Sequence, residues 1–249
     1  MSDDPRRAAF EAARTEGGTL DKRDVAMIHA ALDAVGWPKE AGPAVKVFNR
    51  SEFLNRYVNT NAPAITDAAI TDAAQRLSVT PAHIRAIKAV ESNGKSFDMA
   101  GRPVILFEPH VFYKRTGGKY GVTAFSYPKW GAKPYPGTAD ARWAQMADAA
   151  SCDEDAALES ASWGLFQIMG YHWRELGYPS VQDFCARLTT KESEHLEAVV
   201  RFIIQMGIAP ALRRCRAGDP DSCRDFAKAY NGQSYAANDY HGKLARALK

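Results

Sequence analysis

The chain has 249 residues, of which 46% are hydrophobic, 24% charged and 10% aromatic, enough to bury a full core in one domain with an extension or in two small domains. A net charge of +3 and an isoelectric point near 8.6 favour anionic surfaces mildly. With no Lys/Arg block they fall short of a nucleic-acid-binding signature. No apolar run approaches the roughly 18 residues of a membrane span. The opening MSDDPRRAAFEAARTEGG lacks the hydrophobic core of a signal peptide, so synthesis in the cytoplasm without stable membrane insertion is expected.

The first predicted element is a helix over residues 19–35, capped by Thr19, with Val25, Ile28, Leu32 and Val35 in one stripe and Gly36 and Pro38 ending it. Residues 36–63 are richer in Pro, Gly and Asn, carry a short helix around Phe53, Leu54 and Tyr57, and read as a connector, with the boundary near Ala62. The expected division is therefore a helical N-terminal extension with its connector over 1–62 and a main domain over 63–249. ITDAA occurs twice in succession over residues 65–74, and without a third copy at a longer period it marks no repeat fold. Ile70, Ala73, Ala74 and Leu77 share a helical face there.

TPAHIRAIKAVESNGKSF, residues 80–97, predicts a helix that starts at Pro81 with Thr80 as its cap, because proline has no amide hydrogen to lose in a first turn. Ile84, Ile87 and Glu91 follow at helical spacing, which points a carboxylate toward the apolar side. Ser92, Asn93 and Gly94 stop the helix and leave Glu91 at its end. Burial and the negative end of the helix dipole would both raise the pKa of that carboxyl, as a general acid near neutral pH requires. A buried glutamate paired with an arginine or with backbone amides is the competing reading.

Downstream, GRPVILFEPHVF alternates as a short extended piece and sets a second carboxylate, Glu108, in an apolar run. Residues 114–138 form a Gly-, Pro-, Lys- and Tyr-rich loop, either substrate-facing or a simple excursion. Helices are predicted over 140–150 and 153–160, and then comes ASWGLFQIMGYHW. Leu196, Val199, Val200, Ile203 and Ile204 mark a central core helix, and a helical DSCRDFAKAYNG and a basic stretch after Tyr240 close the chain. The four cysteines and six histidines show neither CxxC nor HExxH spacing, so no metal site is expected. Cys215 and Cys223 flank a short loop and can be bridged after export, although four reduced thiols suit a chain without a signal peptide.

ESNG at 91–94, SWGLFQIMG at 162–170 and AYNG at 229–232 occur in an order and at separations that resemble the lysozyme-like superfamily. The longer ILFEPHVF (105–112) and ALESASWGLFQIMG (157–170) are similar to the N-acetylmuramidase family of phage endolysins, over roughly residues 65–249. FEAARTEGGTLDKRDVAMIHAALDAVGW, outside that span, resembles only in style the short helical leaders of phage lysis proteins. The resemblance implies a mainly α (α+β) fold: a lysozyme-like helical domain with a small β or irregular region. It also implies hydrolysis of the β-1,4 bond between N-acetylmuramic acid and N-acetylglucosamine of bacterial peptidoglycan, by a monomer without a cofactor.

In that reading Glu91 is the acid and Glu108, matching the glutamate of the family's Phe-Glu-(Arg/Pro)-His piece, is the ionised partner. Glu108 can instead pair with Arg102 or cap the turn at Pro109, and Asp98 is the reserve. Gln167 can serve an N-acetyl group, Ser162 a water, and Tyr230 and Asn231 the glycan or Glu91. Trp130, Trp163 and Tyr171 are either sugar-stacking faces or core. Gly164 and Gly170 serve backbone geometry. A lytic transglycosylase forming 1,6-anhydro products and a non-catalytic wall-binding protein are the alternatives. The missing signal peptide adds the expectation of release through a separate holin. For residues 1–62, wall binding, contact with another lysis protein and simple packing through Val25, Ile28 and Leu32 are open, packing being favoured.

Overall fold

The computed structural model describes residues 48–91 and 95–248, together with Met27, Ala30, Ala31, Asp33, Ala34 and Gly36. The chain divides into two compact units, Met1–Val47 and Phe48–Lys249. In the first, Met27, Ala30, Ala31, Asp33 and Ala34 are helical, while the expected stripe of Val25, Ile28, Leu32 and Val35 lies outside the described residues.

The second unit begins with α1 (Arg50–Asn55), capped by the Asn49 side chain, which accepts from the Glu52 amide. The sequence placed this helix in a connector ending near Ala62. Instead Phe53 is fully buried and Tyr57 nearly so. The Tyr57 ring lies 5.4 Å from Trp143 and 5.5 Å from Trp163, and those two indoles meet edge to face at 5.7 Å. Aromatic area of this size belongs to a core wherever it falls in the sequence. The compact unit therefore starts at Phe48.

α2 (Asp67–Leu77) is capped by Thr66, buries Ile70, Ala73, Ala74 and Leu77 as their spacing predicts, and ends on Ser78 in the left-handed region. α3 (Pro81–Val90) starts at the proline, but Thr80 makes no side-chain cap; its hydroxyl meets His83 Nδ1 at 2.9 Å. Ile84 and Ile87 are buried. After it come β1 (Ile105–Phe107), α4 (Pro109–Arg115), α5 (Ala139–Ala150), α6 (Glu154–Glu159), β2 (Ala161–Trp163) and β3 (Ile168–Met169). The strands form one antiparallel sheet in the order β1-β2-β3. Its register sets Leu106 opposite Ser162 and Ser162 opposite Met169.

The remaining helices are α7 (Val181–Thr190), α8 (Glu192–Gln205), α9 (Ala209–Arg214), α10 (Arg224–Asn231) and α11 (Tyr240–Ala247). α8 buries Leu196, Val199, Val200 and Ile203, but Ile204 is 51% exposed, because it lies about 100° around the helix from Ile203, past the edge of the stripe. The fold is mainly α with a small three-stranded sheet, as expected. All four cysteines are free thiols. Among the described residues no helix is long and apolar enough to cross a membrane.

Replacing Phe53 with Ala is expected to lower the unfolding free energy of the chain by about 3–5 kcal/mol in urea titration, the usual cost of emptying a phenylalanine site in a core. A side chain that only decorated a linker would shift it by less than about 0.5 kcal/mol.

Candidate active site

Glu91 follows the last residue of α3. It takes an extended backbone (φ −80°, ψ 145°) while its amide still reaches the Ile87 carbonyl, so the helix ends on it. The expected stop residues Ser92, Asn93 and Gly94 lie outside the described residues. Burial pushes the Glu91 carboxyl up to about 7, and only the Tyr240 hydroxyl opposes that shift. That hydroxyl, on α11, is buried beside the carboxyl, with no partner at strict hydrogen-bond geometry. Among the described residues no arginine contributes to the site of this carboxyl, which gives the ion-pair reading no support there. Tyr230 of α10 also lies near it: burial and then the Glu91 charge raise the Tyr230 pKa.

Tyr230 links this carboxyl to the turn between β2 and β3 by donating from its hydroxyl to the Phe166 carbonyl at 3.0 Å. Two left-handed residues make that turn, Gly164 at φ +68° and Gln167 at φ +50°. A Cβ on Gly164 would sit 2.5 Å from Nδ1 of His195, so the position needs glycine for space as well as for conformation. The Leu165 amide donates to that Nδ1 at 2.9 Å. Nε2 therefore carries the hydrogen and donates to the Leu188 carbonyl at 2.5 Å. Burial holds His195 down at about 4, hence neutral. Gly170 is needed for close approach, since a Cβ there would meet the Leu158 carbonyl oxygen at 2.2 Å.

Ser162 and Gln167 are brought together. The Ser162 hydroxyl donates to Gln167 Oε1 at 2.8 Å, and Gln167 Nε2 donates to the carbonyls of Gly164 at 2.7 Å and Val104 at 3.3 Å. The amide expected to face an N-acetyl group is thus engaged in bracing its own turn. Asn231, the last residue of α10, is exposed.

Glu108 sits where β1 turns into α4. Its amide extends the β1–β2 ladder to the Ser160 carbonyl at 2.9 Å, and Pro109 then opens the helix. Neither structural role weighed for this side chain is found. It makes no cap hydrogen bond, and Arg102 pairs instead with Asp98 and Asp140. The Asp98 carboxylate is itself filled by the amides of Ala100 and Arg102 and by Arg102 Nε, so the reserve candidate is a structural staple. Glu108 Oε2 instead accepts the Tyr135 hydroxyl at 2.7 Å and lies 3.2 Å from His110 Nδ1. Burial raises the Glu108 pKa, and the Tyr135 hydrogen bond opposes it. Burial lowers the His110 pKa, which favours the neutral imidazole beside the carboxyl. Tyr127 and Tyr171 both feel the Glu108 charge.

Of the three proposed stacking faces, Trp163 is 1% exposed and belongs to the core, with Nε1 bonded to the Leu158 carbonyl. Trp130 at 65% and Tyr171 at 36% are open to solvent. Tyr135, Tyr240 and His195 went unread in the sequence; only Tyr135, between two prolines of the aromatic loop, carried a local signal. Among the described residues no group of three or more His, Cys, Asp or Glu is placed to hold a metal ion.

A family model described as N-acetylmuramidase matches residues 80–249, from the cap of α3 to the end of the chain. The chain belongs to the N-acetylmuramidase family. It is similar to the crystal structure of a Burkholderia AP3 phage endolysin, at 40% identity and a TM-score of 0.66, over 76% of this chain and 71% of that one. Comparison with curated proteins gives no match. As an N-acetylmuramidase by family, the chain is a peptidoglycan-cleaving glycoside hydrolase. The matched span contains both carboxylates and the turn that His195 holds.

Two stability predictions follow from burial. The folded pKa of Glu91 is raised from 4.5 to about 7, so the fold is penalised above the unfolded value, fully so above about pH 7. Glu91→Gln is expected to stabilise the protein by about 3 kcal/mol at pH 8 and hardly at pH 4, read as the difference between urea titrations of the two proteins. His195 has the opposite slope. Its folded pKa is lowered from 6.5 to about 4, so its contribution is lost as pH falls through that window, by about 1.4 kcal/mol per unit. Because the two slopes oppose each other between pH 4.5 and 6.5, imidazole NMR is the clean check: an Nε2–H tautomer that stays neutral at pH 5 is expected, and protonation near pH 6.5 would overturn it.

Proposed function

We propose that the chain is an endolysin that hydrolyses the β-1,4 bond between N-acetylmuramic acid and N-acetylglucosamine, with Glu91 as general acid and Glu108 as the second carboxylate. The observation that carries this reading is a carboxyl group without a cationic partner among the described residues, pushed by burial to about 7 at the end of a helix. A group with that pKa is still substantially protonated at neutral pH and gives up its proton readily to a leaving glycosidic oxygen. Burial raises the Glu108 pKa as well, but an O–H donor at 2.7 Å opposes that rise and favours the ionised form, as stabilisation of oxocarbenium charge or activation of a water demands.

Ser162, Gln167 and Tyr230 serve this chemistry by holding the β2–β3 turn, and Asn231 offers its exposed amide to the glycan. The enzyme acts as a monomer, made in the cytoplasm and reaching the wall through a pore formed by a separate holin. A lytic transglycosylase needs only the acid, and the half-buried, hydrogen-bonded Glu108 favours the hydrolase.

Glu91→Gln is expected to lower clearing of purified peptidoglycan by about 10²–10⁴ while the protein still sediments with the wall, and Glu108→Gln to lower it comparably. In the parent protein clearing should decline as pH rises past about 7, where the acid loses its proton. Mass spectrometry should find reducing N-acetylmuramic acid ends, and 1,6-anhydro ends as primary products would reject hydrolysis.

A further inference from the structure

Segment 116–138 is the largest part of the main unit that is neither helix nor strand, and it is built rather than loose. Tyr120 donates to the Cys152 carbonyl at 2.8 Å, Gln145 Nε2 to the Ala124 carbonyl at 2.8 Å, and Arg142 Nε to the Pro136 carbonyl at 3.0 Å. Lys133 Nζ donates to the Thr123 carbonyl at 3.1 Å and lies 5.6 Å from the centre of the Tyr127 ring. Tyr127 is buried, whereas Trp130 is 65% exposed. Both ends and the middle of the segment are thus tied to α5 and to the turn before α6, and what it carries inward is Tyr135.

We propose that Tyr135 is the positioning residue of Glu108, and that segment 116–138 is part of the catalytic apparatus because it delivers that hydroxyl. The proposal rests on Glu108 being the second carboxylate. Tyr135 and Glu108 come from different elements, 27 residues apart in sequence, so no local turn geometry requires their contact. The side chain has two rigid torsions and its single hydroxyl donates to one carboxylate oxygen, Oε2, leaving Oε1 for substrate or water.

Other groups also face this carboxyl. His110 Nδ1 is at 3.2 Å from the same oxygen, on an imidazole whose pKa burial lowers. Tyr127 and Tyr171 stand near enough to feel the charge. Arg115 lies over the Tyr171 ring at 5.7 Å but is paired with Glu159. An O–H bond to the ionised form of a half-buried carboxylate is charge-assisted and favours that form over the neutral acid. Losing it should let Glu108 protonate at a higher pH and let its carboxyl rotate.

The test is the pH profile of peptidoglycan clearing by the full chain carrying Tyr135→Phe. The expected result is an acid limb moved to higher pH, about tenfold lower activity at pH 5.5, and an alkaline limb, set by Glu91, that does not move. Thermal unfolding should be unchanged within about 2 °C, which separates positioning from damage to the segment. Tyr135→Leu should repeat the shift, and carbon-13 titration of the Glu108 carboxyl should follow it. An acid limb that stays in place in Tyr135→Phe overturns the proposal. Glu108→Gln, assayed in parallel, distinguishes the two failures: if it clears wall at the parent rate, Glu108 is not the second carboxylate and the premise fails. If it is inactive while Tyr135→Phe keeps the parent profile, only the role of Tyr135 fails.

Discussion

The site depends on one neutral imidazole. His195 points from the first turn of α8 into the bend between β2 and β3. There it accepts the Leu165 amide and returns its own hydrogen to the Leu188 carbonyl. The bend holds two left-handed residues, of which Gln167 has a side chain and is conformationally costly. Such a turn persists only where its surroundings over-determine it. His195, the Ser162–Gln167 bond and the Tyr230 hydroxyl on the Phe166 carbonyl together do so. Burial that keeps His195 neutral is the same burial that preserves its acceptor nitrogen, because a protonated ring could not take the Leu165 amide.

From that pinned turn the site extends in two directions. Through Phe166 and Tyr230 it reaches the end of α3 and Glu91. Through the β1–β2 register, which sets Ser162 opposite Leu106, it reaches Glu108 two residues farther along. The two carboxyls are both desolvated, and each faces a tyrosine hydroxyl. Tyr240 stands by Glu91 with no partner at strict hydrogen-bond geometry, while Tyr135 donates fully to Glu108. A helix end that buries an unpaired carboxyl loses stability, and that loss is what leaves a proton available near pH 7.

The aromatic core explains why the compact unit extends N-terminal to the family match. Tyr57 closes against Trp143 and Trp163, and Trp163 is in the strand that also carries Ser162. The Arg102 guanidinium, held by Asp98 and Asp140, lies 5.6 Å over the Trp143 ring. A short helix in a Pro- and Asn-rich stretch thus braces the strand behind the site, which its local composition hid.

Local pattern in the sequence determined the helices and one of the two carboxyl environments. The spacing of Ile70, Ala73, Ala74 and Leu77, of Ile84, Ile87 and Glu91, and of the α8 stripe up to Ile203 reports burial directly, because a helix repeats its faces within a few residues. The motifs ILFEPH, GLFQIM and AYNG were legible as a set through their resemblance to the lysozyme-like superfamily. Their division of labour was not. Gln167 and Ser162 read as open polar groups and prove to brace each other, Trp163 read as either a stacking face or core and is core, and His195 read as one of several scattered histidines. Each of these depends on a partner 5 to 30 residues away, and a hydrogen-bond partner at that range is chosen by the packing of elements, which carries no local period. Tertiary structure alone assigned Tyr135 to Glu108, for the same reason: an irregular loop has no repeat from which the direction of a side chain can be read.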